Sequence, residues 1–275
     1  MSPADPLDAA AIGRGLALRG EAIDVEVLER CTSTNTELMG RATFLSPALI
    51  VTDEQTAGRG RRGRRWHASP GAALMFSLRW SFPGEASKLR GLSLATGVSI
   101  ARTLRGFGAS GVALKWPNDL LASMTRPAVA CSAKLGGVLI ETRSGAGHIV
   151  AVIGVGLNCR STPGLEARLN REVAVLEDLL DPMPSRNELL VSIVADLAQA
   201  LRVFGDAGLA AFRADWESMH AHQGAPLRVR TGDGRVVAGI ADGIAADGGL
   251  LLRNRRGVRS IHSGTVMRVM RGNGA

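Results

Sequence analysis

Residues 52–71 read TDEQTAGRGRRGRRWHASPG, which places Arg59, Arg61, Arg62, Arg64 and Arg65 within seven positions and threads Gly58, Gly60 and Gly63 between them. The glycines satisfy G-x-G-x-x-G. That dinucleotide fingerprint needs a strand before it and a helix opening at its third glycine, so that pyrophosphate rests on the helix N-terminus. Only half of the context is present. Ala48-Leu49-Ile50-Val51-Thr52 makes a strand before the loop, but Trp66-His67-Ala68-Ser69-Pro70-Gly71 follows it, and Pro and Gly so close together disfavour a helix. A Rossmann unit is set aside, leaving a cationic, glycine-rich loop between Ala48–Thr52 and a second strand-like run, Ala72 to Phe82.

Working outward, 275 residues with 45% hydrophobic content suffice for one large domain plus a small one around a buried core. Cys31, Cys131 and Cys159 show no C-x-x-C spacing, so neither a disulfide framework nor a zinc site is suggested and a reducing cytoplasm fits best. Met1 to Pro6 lacks a basic start and an apolar core, and the longest apolar stretch, Ile149 to Leu157, is too short to span a bilayer. The expectation is a cytoplasmic protein with no membrane association. Net charge is +8, which could steer polyanions, yet thirty arginines spread over every segment point to a compositional bias. Against them stand three lysines, Lys88, Lys115 and Lys134. A compact ammonium is not replaced by a guanidinium where geometry is tight, so those lysines draw interest.

Ile23 to Arg30 alternates apolar and polar residues and predicts a half-buried strand. A helix is expected to begin near Ser33 or Thr34, with Glu37 completing a capping box. Helical spacing covers Leu89 to Leu104, strands are expected at Leu135–Ile140 and Ile149–Leu157, and a helical stretch over Glu172–Leu180, Arg186–Phe204 and Leu209–Met219. From Pro226 onward five short apolar runs separated by Gly-rich turns (Leu227–Val229, Val236–Ile244, Leu250–Leu252, Val258–Ile261, Val266–Val269) suggest a small barrel. The domain boundary is placed near His222, giving domains 1–222 and 223–275 in an α+β architecture with a mixed β-sheet flanked by helices.

Four segments put polar or glycine residues into otherwise apolar sequence: Thr32-Ser33-Thr34-Asn35, the arginine loop preceded by Gln55, Lys115-Trp116-Pro117-Asn118-Asp119, and Lys134-Leu135-Gly136-Gly137. Ser33 to Asn35 could be just a helix cap, Pro117-Asn118-Asp119 only a turn, and Lys134 a solvated strand end with Gly136-Gly137 a bulge. Together they offer cations for a phosphate or carboxylate, a carboxylate able to hold Mg²⁺, and neutral hydrogen-bonding groups for an uncharged polar ligand. No Ser-His-Asp or Cys-His arrangement is present, so the chemistry implied is stabilisation of a phosphorylated species without an enzyme nucleophile.

The set TSTN, EQTAGRGRRGRRW, LKWPNDLL, KLGGVLIE and IGVGLN, in this order, resembles the biotin–protein ligases over about residues 23–270, and the C-terminal strands resemble their SH3-like barrel. The resemblance implies their class II synthetase-like catalytic fold and a two-step reaction: biotin and MgATP form biotinyl-5′-AMP, then a lysine of a biotin carboxyl carrier protein, as in acetyl-CoA carboxylase, takes the biotinyl group. By motif position it implies biotin contacts at Ser33, Thr34, Asn35 and Gln55, and closure over the activated carboxyl by Arg59, Gly60 and Arg61. Lys134 would hold the biotin carboxylate and α-phosphate, Lys115, Asn118 and Asp119 would support ATP and Mg²⁺, and Trp66 and Asn158 would lie near adenine. The arginine loop then becomes a lid, mobile when free.

Two departures stand out. Fifteen positions separate Asp119 from Lys134, with SMTRPAVACSA as the extra piece, and only about 22 residues precede the first strand, too few for the winged helix-turn-helix of repressor-type members. Sequence-specific DNA binding is therefore not expected. The rivals are a lipoate or octanoate ligase, which should not need the arginine loop, and a non-enzymatic nucleic-acid binder, which should interleave aromatic residues with its charges.

Overall fold

The computed structural model describes residues 5–41, 46–126, 129–145, 147–164, 166–167 and 172–267, with the side chains of 124–131 excepted. The chain runs α1 (Ala9–Leu18), β1 (Asp24–Cys31), α2 (Thr34–Gly40), β2 (Ala48–Gln55), β3 (Ala73–Pro83), α3 (Leu92–Gly106), β4 (Val112–Lys115), β5 (Asp119–Arg126), β6 (Val129–Gly145) and β7 (His148–Asn158). Then follow α4 (Arg186–Ala207), α5 (Arg213–Met219) and β8 to β12 (Pro226–Thr231, Val236–Ile244, Leu250–Asn254, Gly257–Ile261, Gly264–Met267). Strands β1 to β7 form one sheet in the order β1-β2-β3-β7-β6-β5-β4. The β1–β2 pair is parallel and the remaining pairs antiparallel, so the sheet is mixed. In the second sheet, order β11-β10-β9-β8-β12, the last strand returns beside the first, in keeping with a small SH3-like domain.

Apolar periodicity explains most of these elements. Leu190, Ile193, Val194, Leu197 and Leu201 form the stripe of α4 and are all buried against α3, α1 and the sheet. Trp116 and Trp216, both fully buried, belong to a core that continues from the first sheet into Leu227, Val229, Ile244 and Leu250 of the second. The β9–β10 turn and the segment leading into β8 are also bonded to the first domain, by the Trp116 Nε1 donating to the Gly248 carbonyl at 3.0 Å and the Ala221 N–H to the Leu114 carbonyl at 2.9 Å.

Three expectations need correction. Glu172–Leu180 is not helical: Val173 bridges Lys134 in a parallel sense and only Leu176–Asp178 makes a 3-10 turn. Val173, Ala174, Val175 and Leu176 are consecutive and all buried, a run that extended chain laid against β6 can shelter without exposing polar partners. Leu209–Met219 divides into a 3-10 turn at Gly208–Phe212 and the helix α5. The capping box at Thr34 and Glu37 does not form; Ser33 occupies the N-cap without a side-chain bond to the helix, and Gln55 Oε1 accepts the Thr34 N–H at 2.9 Å instead.

The extra piece between Asp119 and Lys134 lengthens a hairpin. Pairs from Ala122↔Ala133 to Arg126↔Val129 extend β5 and β6 away from their base, where Asp119 pairs with Gly137. The insertion therefore leaves the base of the hairpin intact. Val269, the last residue of the fifth expected strand, lies outside the described residues.

Candidate active site

One cleft gathers Ser33, Thr34, Asn35, Gln55, Arg59 and Gly60 at one side and Arg61, Trp66, Lys115, Asn118, Asp119 and Lys134 at the other. Asn158 does not line it. The first side is a hydrogen-bonding pocket at the start of α2. Ser33, Thr34 and Asn35 are buried there, with Ser77 Oγ 2.7 Å from Thr34 Oγ1 and 2.6 Å from Asn35 Oδ1. A methyl group on Gly154 would stand 2.3 Å from Asn35 Oδ1, so this glycine is what lets the asparagine lie against β7.

The second side is built on strand ends. β4 stops at Lys115, Trp116-Pro117-Asn118 turns the chain through a cis Trp116–Pro117 peptide, and β5 starts at Asp119. Asn118 is pinned to β6: its Nδ2 donates to the Val138 carbonyl at 2.6 Å, and its own carbonyl accepts from the Val138 N–H at 2.9 Å. The register of β5 against β6 shifts between Leu120 and Leu121, whose partners are Gly136 and Lys134. Such bulges re-aim side chains beside functional sites. Here Lys134 forms an ion pair with Asp119, and a methyl on Gly137 would lie 3.1 Å from its ammonium. The bulge and the site are thus the same feature.

Asn158 sits behind this lysine. Its amide donates to the carbonyls of Lys134 at 3.2 Å and Ala174 at 3.1 Å, which clamps β6 to the buried 173–176 run. Trp66 packs flat enough on Gly156 that a methyl there would meet its ring at 2.6 Å, and the Lys134 ammonium is 6.0 Å from the ring centroid. The Trp66 indole N–H is buried with no protein acceptor, the kind of orphan a bound ligand can satisfy.

The arginine loop folds over the cleft as a tight hairpin. Gly60 N–H donates to the Arg64 carbonyl at 2.7 Å, Trp66 N–H to the Gly58 carbonyl at 2.9 Å, and a 3-10 turn spans Arg61–Gly63 with Arg62 at φ 59°. No helix follows, as its Pro and Gly foretold. Its arginines diverge: Arg59 reaches Glu141 of β6, Arg61 reaches Asn118 Oδ1 at 3.3 Å, and Arg62 reaches Thr265 Oγ1 of β12 at 2.8 Å and Ser263 Oγ in the turn before it at 3.2 Å. Burial, then the neighbouring Arg62, lower the Arg61 pKa from the ordinary arginine value while Asp119 acts the other way; a guanidinium remains charged at neutral pH.

Sequence reading missed Ser77 and Glu141. A serine inside the apolar run Ala72–Phe82 and a carboxylate ending KLGGVLIE were the available signals. At the two cysteines whose side chains are described, burial disfavours the thiolate, pushing Cys159 up to about 12 and raising Cys31. Among the described residues no group of three His, Cys, Asp or Glu side chains could hold a metal ion. Asp119 is a cleft carboxylate, so the donor set fits a Mg²⁺ that brings phosphate and water oxygens with it. No described helix is long and apolar enough to cross a membrane.

Comparison with known proteins gives the family and the fold. A model of the biotin/lipoate A/B protein ligase family matches residues 27–158, and one of the biotin protein ligase C terminal domain matches 222–268. The bifunctional ligase/repressor BirA of Escherichia coli K12 is 35% identical over 233 residues, 83% of this chain and 68% of that protein. The biotin–[acetyl-CoA-carboxylase] ligase of Paracoccus denitrificans is 31% identical over 250 residues, 87% of this chain and 98% of its own length. In fold, the chain resembles the biotin protein ligase from Aquifex aeolicus in complex with biotin and ATP, with a TM-score of 0.73 over 90% of this chain and 99% of that one at 23% identity.

Proposed function

The chain belongs to the biotin/lipoate A/B protein ligase family, and from that premise we propose how its cleft works as a biotin–protein ligase. The enzyme activates biotin with ATP to biotinyl-5′-AMP and passes the biotinyl group to a protein lysine. We place its catalytic domain at residues 1–222, the small domain at 223–275, and the protein in the cytoplasm with its acceptor, a biotin carboxyl carrier domain.

The observation that carries this reading is the continuity of one cleft. Its neutral hydrogen-bonding end suits an uncharged polar ring, and its cationic end suits a carboxylate joined to a phosphate. In the first step a biotin carboxylate oxygen bonds to the α-phosphorus and pyrophosphate leaves; in the second a lysine amine attacks the acyl carbon and AMP leaves. Thr34, Asn35, Gln55 and Ser33 hold the ring. Lys134, kept in place by Asp119 and by Asn158 behind it, meets the charge that builds between carboxylate and α-phosphate, the moment at which a preorganised cation is most effective. Arg59, Gly60 and Arg61 close over the mixed anhydride and exclude water. Trp66 faces the nucleotide, and Lys115 and Asn118 support its phosphates. Asp119 would hold Mg²⁺, which supplies charge neutralisation on the triphosphate.

Asn158 supports Lys134 from behind through its amide protons, and a contact to adenine would fall to its side-chain oxygen, an acceptor suited to the exocyclic amine. The test is incubation with ATP, Mg²⁺ and either biotin or lipoate, followed by mass spectrometry of the bound adenylate and of an added carrier domain. Biotinyl-AMP and a biotinylated carrier are expected. Lipoyl-AMP in the absence of biotinyl-AMP would overturn the assignment.

A further inference from the structure

The run KLGGVLIE ends on Glu141, whose carboxylate is not explained by sheet formation. One oxygen of that carboxylate, Oε2, accepts from two places at once: Asn35 Nδ2 at 2.8 Å in the pocket floor and Arg59 Nη2 at 2.6 Å in the arginine loop. An ionised carboxylate accepts only, so it obliges the Asn35 amide to present its NH₂ toward β6 and turns Oδ1 toward Ser77 Oγ, 2.6 Å away. Gly154 lies so close beneath that Oδ1 that a methyl could not be added there, and the amide has little room to turn. Arg59, in turn, shares seven positions with four other arginines whose mutual repulsion favours lifting the loop.

We propose that Glu141 is a positioning residue that latches the arginine loop to the floor of the hydrogen-bonding pocket, so that the state of the pocket sets how firmly the loop closes. The proposal rests on the reading of that loop as a lid over biotinyl-AMP. Its strength suits the purpose. The paired side chains are 45% and 29% exposed, and half-exposed ion pairs contribute at most about 1 kcal/mol, enough to bias closure while still permitting release of product to the acceptor. A ring bound against Asn35 perturbs the same oxygen that holds Arg59, which gives pocket and loop a shared atom without any long pathway.

Limited trypsin cleavage after Arg61 to Arg65, in ligand-free wild type, Glu141→Gln, Arg59→Ala and the double variant, tests the latch. Each single change is expected to speed cutting roughly three- to fivefold, the upper range for a half-exposed charge pair, and the double variant no further, because both remove one interaction. The retention half-time of biotinyl-AMP on the protein, read by rapid gel filtration, should shorten by a similar factor with melting temperature unchanged. Cutting within about twofold of wild type in both single variants, or fully additive effects in the double, would overturn the proposal. If Glu141→Gln alone fails to fold, Arg59→Ala on the exposed loop carries the same expectation by itself. A wild type that makes no biotinyl-AMP refutes the assigned reaction, while the ligand-free cleavage rates still judge the latch.

Discussion

Two cationic regions line the cleft and are built in opposite ways. Lys115 ends β4 and Lys134 stands within β6 of the seven-stranded sheet, where it is fixed by an ion pair to Asp119, a bulge and the Asn158 clamp. The arginines of residues 59–65 stand on a hairpin with no buried apolar side chain of its own, held by contacts at the tips of long side chains. The difference teaches a division of labour. A charge must be immobile to stabilise a transition state, whereas a segment that closes and reopens must be drawn from the weakly held part of the structure.

If the wall does the chemistry, changing the shape of its cation should be the most damaging substitution. Lys134→Arg keeps the charge but moves it outward on a planar head, in a space where Gly137 and Asp119 already crowd the ammonium. It is expected to fold normally and lose roughly 10²–10³-fold in pyrophosphate exchange, about 3–4 kcal/mol; agreement within about threefold would remove the wall from the mechanism.

The wall is also titratable from behind. His220 stacks on Trp216 and bridges Leu114, next to Lys115, and burial lowers its pKa to about 4; burial and then Lys115 lower that of His222. Because the folded pKa lies below the unfolded one, the stability is present above the unfolded value of about 6.5 and is lost as pH falls toward 4. Wild type should lose about 2 kcal/mol of unfolding free energy between pH 7 and pH 5 relative to His220→Gln, from urea melts at both values. Parallel losses in the two proteins would deny the buried neutral histidine.

Gly154→Ala comes next. Its methyl would lie 2.3 Å from Asn35 Oδ1, and overpacking of this kind costs about 1–3 kcal/mol, so calorimetric titration should show biotin binding weakened by roughly tenfold or more. Affinity equal to wild type would free the pocket from dependence on Asn35. Arg62→Gly should have the smallest effect. It removes the contacts to Ser263 and Thr265 but relieves a left-handed φ of 59°, and pyrophosphate exchange should stay within about fivefold, near 1 kcal/mol. A loss as large as that of Lys134→Arg would erase the distinction between wall and loop.

The site was legible where polar residues interrupt apolar strands, as at TSTN, KWPND and KLGG, because a buried sheet tolerates such residues only with partners or a purpose. The alternating β1 and the stripe of α4 were legible for the same reason of periodicity. What escaped depends on distance along the chain. Glu141 meets Arg59 across 82 positions, and nothing local in either segment announces the other. The bonds from Asn158 to the carbonyls of Lys134 and Ala174 are likewise visible only once β7 is laid beside the buried 173–176 run. That run itself was misread as helix because four successive apolar residues suit either a buried helix or an extended segment.

The division between wall and loop is tested most directly by trypsin cleavage after Arg59 to Arg65 in the protein alone, with biotin and MgATP, and with lipoate and MgATP. Biotin with MgATP should slow these cuts strongly, by roughly tenfold or more, about 1.4 kcal/mol in favour of the closed loop, while lipoate with MgATP leaves them near the rate of the protein alone. Equal rates in all three conditions would contradict a loop that closes on the adenylate made at the wall.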